Sequence, residues 1–383
     1  MFEDADRISI QAPLEPHQIL AERMVSLPPE CIQAATESPL AVFEAFVGYF
    51  DANYPFFELY DVDWSERVNE ARQRINADMG ECELFDVLDW LIEPLQDGHV
   101  SLVATINGDV VVSAPGRARV LQGIRQGAEA ARRDPSEAAR EFRRSVWFDS
   151  ISQDILQGDG HLIGNDRVQY GMVADQIGYL AFSALDGFGE EGNQLEDNLS
   201  ELERMLDEII RFFEQSNATT LIVDLSLNFG GSDFMAREVA SRFLHTPTVA
   251  YTKYAADALN PLPTRVSIEP DATRFEGDIY LLTSQVTVSA AEVMTLTLRQ
   301  AEHVYHYGEP TRGAFSDALS RSLPNGWQLS MSNEVYLDAS GQHWEAVGVS
   351  PEIEMTVFSD LDPIESHRRA IHMIVQHAVE LSE

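Results

Sequence analysis

Short apolar runs that alternate with amphipathic helices constrain this chain more than any other feature. The runs TTLIVDLSL (219–227) and DIYLLTSQV (278–286) carry no polar face, which is typical of strands covered on both sides. QIGYLAFSAL (176–185) is predicted as a further strand. Predicted helices lie at 200–215, 232–244, 289–303 and 363–381. This alternation predicts an α/β fold with a mostly parallel sheet and right-handed crossovers.

The first hundred residues follow a helical pattern instead. Apolar residues at helical spacing predict helices near 16–34, 38–50, 63–76 and 83–93. Residues 100–112 then predict a β-hairpin, because β-branched residues flank Asn107-Gly108, a pair that favours a tight turn.

Residues 117–144 change composition, since eight arginines fall there among alanines and glutamates. The pattern predicts a charged helix, or two helices broken near Pro135, that serve as a connector; a lid over a site is the alternative. The expected division is therefore an N-terminal helical domain (1–98), a hairpin with the arginine-rich connector or lid (99–165), and an α/β core (166–383).

The charge of the chain excludes several partners. With 26 basic and 63 acidic residues, the formal net charge is −37. A surface this acidic repels nucleic acid and anionic membranes, and it should attract cationic peptides over acidic ones. No apolar run reaches the roughly 18 residues that span a bilayer, so no stable membrane insertion is expected.

The cysteines and the N-terminal residues carry less information. Cys31 and Cys82 are too few for a disulfide scaffold or a cysteine-rich metal site, and they could form one bridge or remain buried free thiols. The N-terminal residues lack the basic start and apolar core of a signal peptide. A cytoplasmic protein is expected unless a leader was removed, in which case the protein is periplasmic or secreted. The sequence fixes no oligomeric state.

Three segments at predicted strand ends carry candidate chemistry. In the first, Gly230 and Gly231 follow a buried strand, where their backbone N–H groups could form an oxyanion hole or simply a tight turn. In the second, Ser289 and Glu292 form a helix-capping pattern, the better interpretation from the pattern alone, although a helix N-terminus also suits a nucleophile. The third is Asp97-Gly98-His99. His367, His372 and His377 share a predicted helix, but their spacing of five residues turns the side chains apart. No metal site is predicted.

Taken in order, these segments resemble the tail-specific (C-terminal processing) and tricorn-core family of serine peptidases. Residues 224–231 are similar to the family pattern D-x-R-x-N-x-G-G, with Ser226 in place of the arginine. Residues 288–292 are similar to the segment that carries the nucleophile. The resemblance extends to 54–64 and 97–99 upstream, and downstream to Gly308, Thr311, Gly313 and 348–353.

The resemblance implies a crotonase/ClpP-like α/β core after an N-terminal helical domain, and acyl-transfer chemistry on peptide or unfolded protein substrates. It implies Ser289 as nucleophile, His99 as base and Glu345 as the group that orients the histidine. The N–H groups of Gly230 or Gly231 and of Ala290 would form the oxyanion hole. No metal or organic cofactor is implied.

Two family designs are distinguished by single residues. The Ser–Lys design is excluded unless Lys253, the single lysine, folds back, because Ala314 occupies the lysine position. In the histidine design, Gly98 replaces a serine found before the histidine, so Asp97 is a further candidate orienting group. No segment resembles a PDZ module.

Alternatives remain at this point. The same fold also serves non-catalytic binding modules, such as retinoid-binding repeats, and a serine hydrolase could act on non-peptide acyl substrates. A second Asp-Gly-His at 159–161 offers His161 as a rival base, but the flanking residues of His99 match the family better.

Overall fold

The computed structural model describes residues 7–10, 19–26, 36–189, 195–256 and 263–382. The chain divides into two units that interleave along the sequence. The first comprises Met1–Gly116, Thr252–Val266 and Ser316–Val335; the second comprises Arg117–Tyr251, Ser267–Phe315 and Tyr336–Glu383. This division differs from the expected contiguous parts (1–98, 99–165, 166–383), because two segments from the C-terminal half join the first unit and the arginine-rich helices join the second.

The described residues form the following helices and strands. The helices are α1 (Pro39–Asn53), α2 (Trp64–Arg74), α3 (Glu81–Ile92), α4 (Arg119–Ala130), α5 (Pro135–Arg144), α6 (Leu195–Gln215), α7 (Asp233–Ser241), α8 (Ala290–Leu298) and α9 (Pro363–Ser382), with a 3₁₀ turn at Glu58–Tyr60 and a π-helix at Ser145–Ile155. The strands are β1 (Arg7–Ile10), β2 (Ile19–Glu22), β3 (Ser101–Ile106), β4 (Asp109–Ser113), β5 (His161–Ile163), β6 (Val168–Ala174), β7 (Ile177–Phe182), β8 (Thr220–Asp224), β9 (Thr248–Ala255), β10 (Thr264–Ile268), β11 (Asp278–Thr283), β12 (Val304–Gly308), β13 (Ala318–Ser322), β14 (Gln328–Ser332), β15 (Glu334–Leu337) and β16 (Ile353–Glu354).

One predicted helix is wrong. The stretch 16–34 was expected to be helical, but Ile19–Glu22 is strand β2, which pairs antiparallel with β1. Four residues of each strand pair in register, and the apolar spacing within one segment gives no information about such a partner. Residues 16–18 and 27–34 lie outside the described residues.

The first unit packs helices α1–α3 against an antiparallel sheet in the order β13-β14-β3-β4. Phe43, Phe46 and Phe50 recur at helical spacing on α1 and are fully buried. The predicted hairpin is confirmed, since Asn107 and Gly108 both have positive φ between β3 and β4. Leu329 and Met331 of β14 complete the same core.

The second unit is built on a seven-stranded sheet in the order β16-β12-β11-β8-β7-β6-β5. Neighbours from β16 through β7 are parallel, and β6 and β5 are antiparallel additions. The strands predicted at 176–185, 219–227 and 278–286 are confirmed as β7, β8 and β11, and all three are almost entirely buried. Because these strands are parallel neighbours, the loops that leave their carboxyl ends emerge at one edge of the sheet, where α/β proteins bind ligands.

Other predictions concern smaller features. Strands β10, β9 and β15 form a separate sheet in that order. The arginine-rich segment forms α4 and α5, with the predicted break before Pro135.

Cys82 is a free thiol and is exposed, not buried as expected; Cys31 lies outside the described residues. Within the described ranges, no helix is long and apolar enough to span a membrane.

Candidate active site

Ser289 lies between β11 and α8 in an uncommon backbone conformation. Its φ of 61° and ψ of −128° fall where a residue with a side chain is strained. Two contacts of its N–H group hold it there: Ala314 O at 3.0 Å and Glu292 Oε2 at 3.2 Å. Such strain persists only where the surroundings over-determine the conformation, and it is concentrated at functional sites.

The expected capping box is only half formed. Glu292 Oε2 accepts the Ser289 N–H, but the Glu292 N–H donates to the backbone carbonyl of Ser289 at 2.7 Å and not to its hydroxyl. The Ser289 side chain makes no capping hydrogen bond to helix α8, and the residue is partly exposed. The capping interpretation of Ser289 therefore does not describe its hydroxyl, which is left for other chemistry.

Glu292 ties the start of α8 to the loop after β12. Its buried carboxylate accepts the N–H groups of Gly313 at 2.6 Å and Ala314 at 2.8 Å, besides that of Ser289. Burial raises the pKa of Glu292 to about 7, and these donors, with the Thr311 hydroxyl, limit the rise. The carboxylate thus fixes the conformation around Ser289 without contacting its hydroxyl.

The glycine turn after β8 lies directly against Ser289. Gly230 has a φ of 81°, and a Cβ placed on it would approach the Ser289 Cβ to 2.7 Å, so only glycine fits. The Gly230 N–H is already used, because it donates to Asn228 Oδ1 at 2.8 Å. Gly230 therefore serves this contact through its missing side chain rather than through its N–H.

Gly231 and Ala290 are the better-placed donors. Gly231 is exposed, and its parallel bridge to Leu185 uses the flanking Gly230 O and Ser232 N, which leaves the Gly231 N–H on the other side. No acceptor among the described residues takes a hydrogen bond from this N–H. Ala290 is the first residue of α8, and an N–H at that position has no partner within the helix.

Glu345 is buried in the second unit and is linked to the backbone of Ser289 through one peptide group. Its Oε2 accepts the Phe315 N–H at 2.9 Å. The carbonyl of that same peptide group, Ala314 O, accepts the Ser289 N–H. A single peptide plane therefore positions both the candidate nucleophile and the candidate orienting carboxylate.

His99 belongs to the first unit, together with Asp97. Asp97 is fully buried; its Oδ1 accepts the backbone N–H of His99 at 2.8 Å and its Oδ2 accepts the Tyr54 hydroxyl at 3.1 Å. Burial lowers the pKa of the His99 imidazole below its ordinary value, and the charges of Asp97 and Asp317 oppose that shift. The imidazole is therefore neutral at pH 7 and able to accept a proton.

The single lysine has a structural environment in the same unit. Lys253 is buried, and its Nζ lies 3.1 Å from Asp317 Oδ2 and 3.0 Å from Glu334 Oε2. Two carboxylates stabilise the charged ammonium, which cannot then act as a base. Sequence reasoning missed Asp317, because its proximity to Lys253 and His99 depends on contacts between distant parts of the chain.

A second Ser–His–Asp set is buried in the second unit. His367 Nδ1 lies 3.1 Å from Ser150 Oγ, and His367 Nε2 lies 3.2 Å from Asp224 Oδ2. All three side chains are at most 2% exposed, so no substrate reaches them. His161, the rival base in the sequence, is exposed on β5 and stacks on Tyr170.

The predicted residues thus fall into two sets. Ser289, Ala290, Gly230, Gly231 and Glu345 belong to the second unit and are linked by the contacts above, whereas His99 and Asp97 belong to the first. Among the described residues, no group of three His, Cys, Asp or Glu side chains could hold a metal ion.

Part of this chain matches a family of known proteins, and its fold is similar to that of solved structures. Residues 176–355, which include Ser289, the glycine turn and Glu345, match the model of peptidase family S41. A candidate peptidase from Parabacteroides merdae ATCC 43184 is 25% identical, with a TM-score of 0.67 over 89% of this chain and 96% of that chain.

Two more distant structures share the fold. Mature CPAF in complex with lactacystin has a TM-score of 0.62 and 15% identity over 90% of this chain and 98% of that chain. The photosystem II D1 C-terminal processing protease has a TM-score of 0.50 and 14% identity over 87% of this chain and 97% of that chain. On the match of residues 176–355 to peptidase family S41, the chain is a serine peptidase.

Proposed function

We propose that this chain hydrolyses peptide bonds through an acyl-enzyme on Ser289, with His99 as the base and Glu345 as the orienting group. The observation that carries the proposal is the local geometry of Ser289. Its strained backbone, its uncapped hydroxyl and the glycine turn against its Cβ are the features of a nucleophile presented at the start of a helix.

The proposed reaction has two acyl-transfer steps. Ser289 Oγ attacks the carbonyl carbon of the peptide bond, and His99 takes the hydroxyl proton and passes it to the departing amine as the C–N bond breaks. Water, deprotonated by His99, then attacks the ester and releases the acid, and the proton returns to Ser289. Glu345 is proposed to orient the imidazole and stabilise its charged form, with Asp97 as a further carboxylate near it.

We assign the oxyanion hole to Gly231 and Ala290 rather than to Gly230. The Gly230 N–H is bound to Asn228, whereas no described residue accepts from the Gly231 N–H. The N–H of Ala290 adds the positive end of α8. Loss of one such donor typically costs about 2.7–4 kcal/mol of transition-state stabilisation.

The choice of His99 over Lys253 rests on their environments. Burial keeps the imidazole neutral at pH 7, while two carboxylates keep the lysine charged. A neutral imidazole can take the serine proton and a charged ammonium cannot.

Labelling with a fluorophosphonate probe tests the nucleophile. Wild type should be labelled once, at Ser289, and should cleave a mixed peptide library; Ser289→Ala should lose both activities. If a folded Ser289→Ala variant still cleaved peptides, the proposed function would be wrong. An ester panel run beside the peptides shows whether other acyl substrates are preferred.

The two Asp-Gly-His histidines give a matched pair for the base. His99→Ala should lower peptide hydrolysis by several orders of magnitude. His161→Ala should leave it unchanged, because His161 is exposed on an edge strand, where its ring packs on Tyr170 and Phe212. The reverse result would transfer the role to His161.

A further inference from the structure

A cavity of about 360 Å³ in the second unit has an unusual lining for so acidic a chain. We call it the arginine pocket and define it by Arg143, Arg144, Trp147, Arg167 and Phe229. Three of these side chains are cationic, and the other two are aromatic. Such a combination of guanidinium groups and ring faces is typical of sites that bind a carboxylate with some apolar surface.

The arginines of this pocket are not neutralised. Among the described residues that line it none is acidic, and no described carboxylate lies within 4 Å of the three guanidinium groups. A larger cavity of this unit, about 720 Å³, differs because Arg119 and Arg312 are accompanied there by Glu309 and Glu354. With 63 acidic residues against 26 basic ones, three neighbouring arginines without a carboxylate need a separate explanation.

Stabilisation of a helix end does not supply that explanation. Arg143 and Arg144 end α5, where cations often stabilise unpaired carbonyl groups. Here the chain continues directly into the π-helix, so α5 has no free end. π-Helix is rare in proteins and is frequently found at functional sites.

Contacts within the second unit order part of the pocket wall. The indole Nε1 of Trp147 donates to Asp166 O at 2.9 Å, and the Trp147 carbonyl accepts from Gln169 at 2.7 Å. Arg167 Nε donates to Gly187 O at 3.0 Å, and the Arg143 guanidinium lies 5.2 Å from the centre of the Phe229 ring. A binding site that is already ordered loses less entropy when its ligand binds.

The pocket adjoins the nucleophile. Phe229 directly precedes Gly230, whose Cα lies against Ser289. The pocket residues Ser183 and Ala184 follow β7, Leu227 and Phe229 follow β8, and Ser289 follows β11. The pocket and Ser289 therefore share the carboxyl-terminal edge of the parallel sheet.

We propose that the arginine pocket is a substrate subsite that binds a carboxylate of the peptide, either an acidic side chain or the terminal carboxylate. The inference rests on the proposed function for its link to cleavage. The net charge of −37 repels acidic molecules at long range. The arginine pocket would nevertheless favour a carboxylate at one particular position of the bound peptide.

Isomeric peptides separate these two effects. A series that moves one glutamate through an otherwise constant neutral sequence keeps the net charge fixed, so long-range repulsion is equal for every member. At 150 mM salt, glutamate at one position relative to the cleaved bond should raise kcat/KM about tenfold or more over glutamine there. A parallel series with a free or amidated C-terminus shows whether the terminal carboxylate is the group bound.

Arginine variants connect the preference to the pocket. Arg143→Gln and Arg144→Gln, singly and together, should reduce the glutamate-to-glutamine ratio, or the acid-to-amide ratio, toward one. Arg369→Gln is the matched control, because Arg369 is exposed on α9 and also has no carboxylate within 4 Å among the described residues. The ratio in this control should equal that of wild type.

A binding measurement keeps the proposal testable without catalysis. Fluorescence anisotropy of the same peptides with Ser289→Ala should show tighter binding of the favoured acidic peptide, and the arginine variants should lose that difference. Ser289-dependent cleavage with equal rates for all isomers and termini would overturn the subsite and leave the proposed function intact. Absence of cleavage by wild type would overturn the proposed function, while anisotropy would still decide the subsite.

Discussion

At the residue scale, Gly230 shows how one missing side chain can permit a site. A methyl group there would overlap the Cβ of Ser289, and the main chain of Val288 is almost as close. Neither neighbour can retreat easily, since the Ser289 backbone is held by Ala314 and Glu292.

We predict that Gly230→Ala lowers kcat/KM at least a hundredfold. Gly341→Ala is its control, because Gly341 has a similar φ of 87° with nothing within 4 Å of an added Cβ. Gly341→Ala should lose about 1–2 kcal/mol of stability for the left-handed backbone, and Gly230→Ala should lose more because of the overlap, both measured by urea denaturation. Equal activities of the two variants would contradict the proposed role of the contact.

The electrostatic surroundings of His99 give a second prediction at this scale. The Asp317 carboxylate raises the pKa of His99 against the lowering by burial, so Asp317→Asn should lower that pKa further. Since the neutral imidazole is the active form, the acid limb of kcat/KM should begin below pH 6.5 in wild type and at still lower pH in the variant.

The NMR titration of the His99 ring protons measures this shift independently of activity. Asp109→Asn, an exposed change in the same unit, should leave the His99 titration where it is in wild type. An unchanged or higher pKa in Asp317→Asn would show that this carboxylate does not act on His99.

Sequence reasoning singled out Ser289 and the glycine turn because their neighbours are close along the chain or belong to one motif, and their catalytic roles stay a prediction. It assigned the oxyanion contact to Gly230 as readily as to Gly231. The difference depends on where Asn228 Oδ1 points, and no residue pattern records that direction. Asp317 and the arginine pocket were missed for a related reason: their partners lie far away in sequence.

At the scale of elements, α9 is joined to the sheet by a buried polar contact. Both ring nitrogens of His367 in α9 form hydrogen bonds, one with Asp224 at the end of β8 and one with Ser150 of the π-helix. Burial would raise the pKa of Asp224, but hydrogen bonds from His367, Ser226 and Tyr179 lower it below 3.8. The contact therefore involves a buried, ionised carboxylate just before the glycine turn.

We predict that His367→Gln lowers the free energy of unfolding by about 3 kcal/mol or more at pH 7, because a buried carboxylate loses a partner. His372→Gln, an exposed change on the same helix, should have little effect. The stabilisation that ionised Asp224 contributes is complete above pH 3.8, the ordinary pKa of an aspartate. It is lost as the pH falls through the lower pKa that Asp224 has in the folded protein. The gap between variant and wild type in urea denaturation should therefore narrow toward pH 3, and a constant gap would contradict this account.

The same scale shows which elements a single sequence reveals. Strands β7, β8 and β11 and helix α6 were predicted, because long apolar runs and a clear helical face dominate them. Strands β1 and β2 were not, since four-residue strands depend on each other rather than on their own pattern.

At the scale of the whole molecule, the charge of −37 should oppose folding through self-repulsion. We predict that the free energy of unfolding rises as KCl increases from 0.05 M to 1 M, because the screening length falls from above 10 Å to about 3 Å. Urea denaturation at several salt concentrations measures this. A constant or falling free energy would show that the acidic residues are arranged so that they do not repel one another in the folded state.

The interleaving of the two units has a consequence for how the enzyme is made. The core of the first unit includes Leu323, Trp327, Leu329 and Met331 as well as helices α1–α3. A ribosome must therefore synthesise the chain through residues 316–335 before that core can close, and His99 belongs to the same unit. With His99 as the proposed base, chains that end before residues 316–335 would be inert toward neighbouring proteins, so that the fold itself delays proteolysis until this segment has been translated.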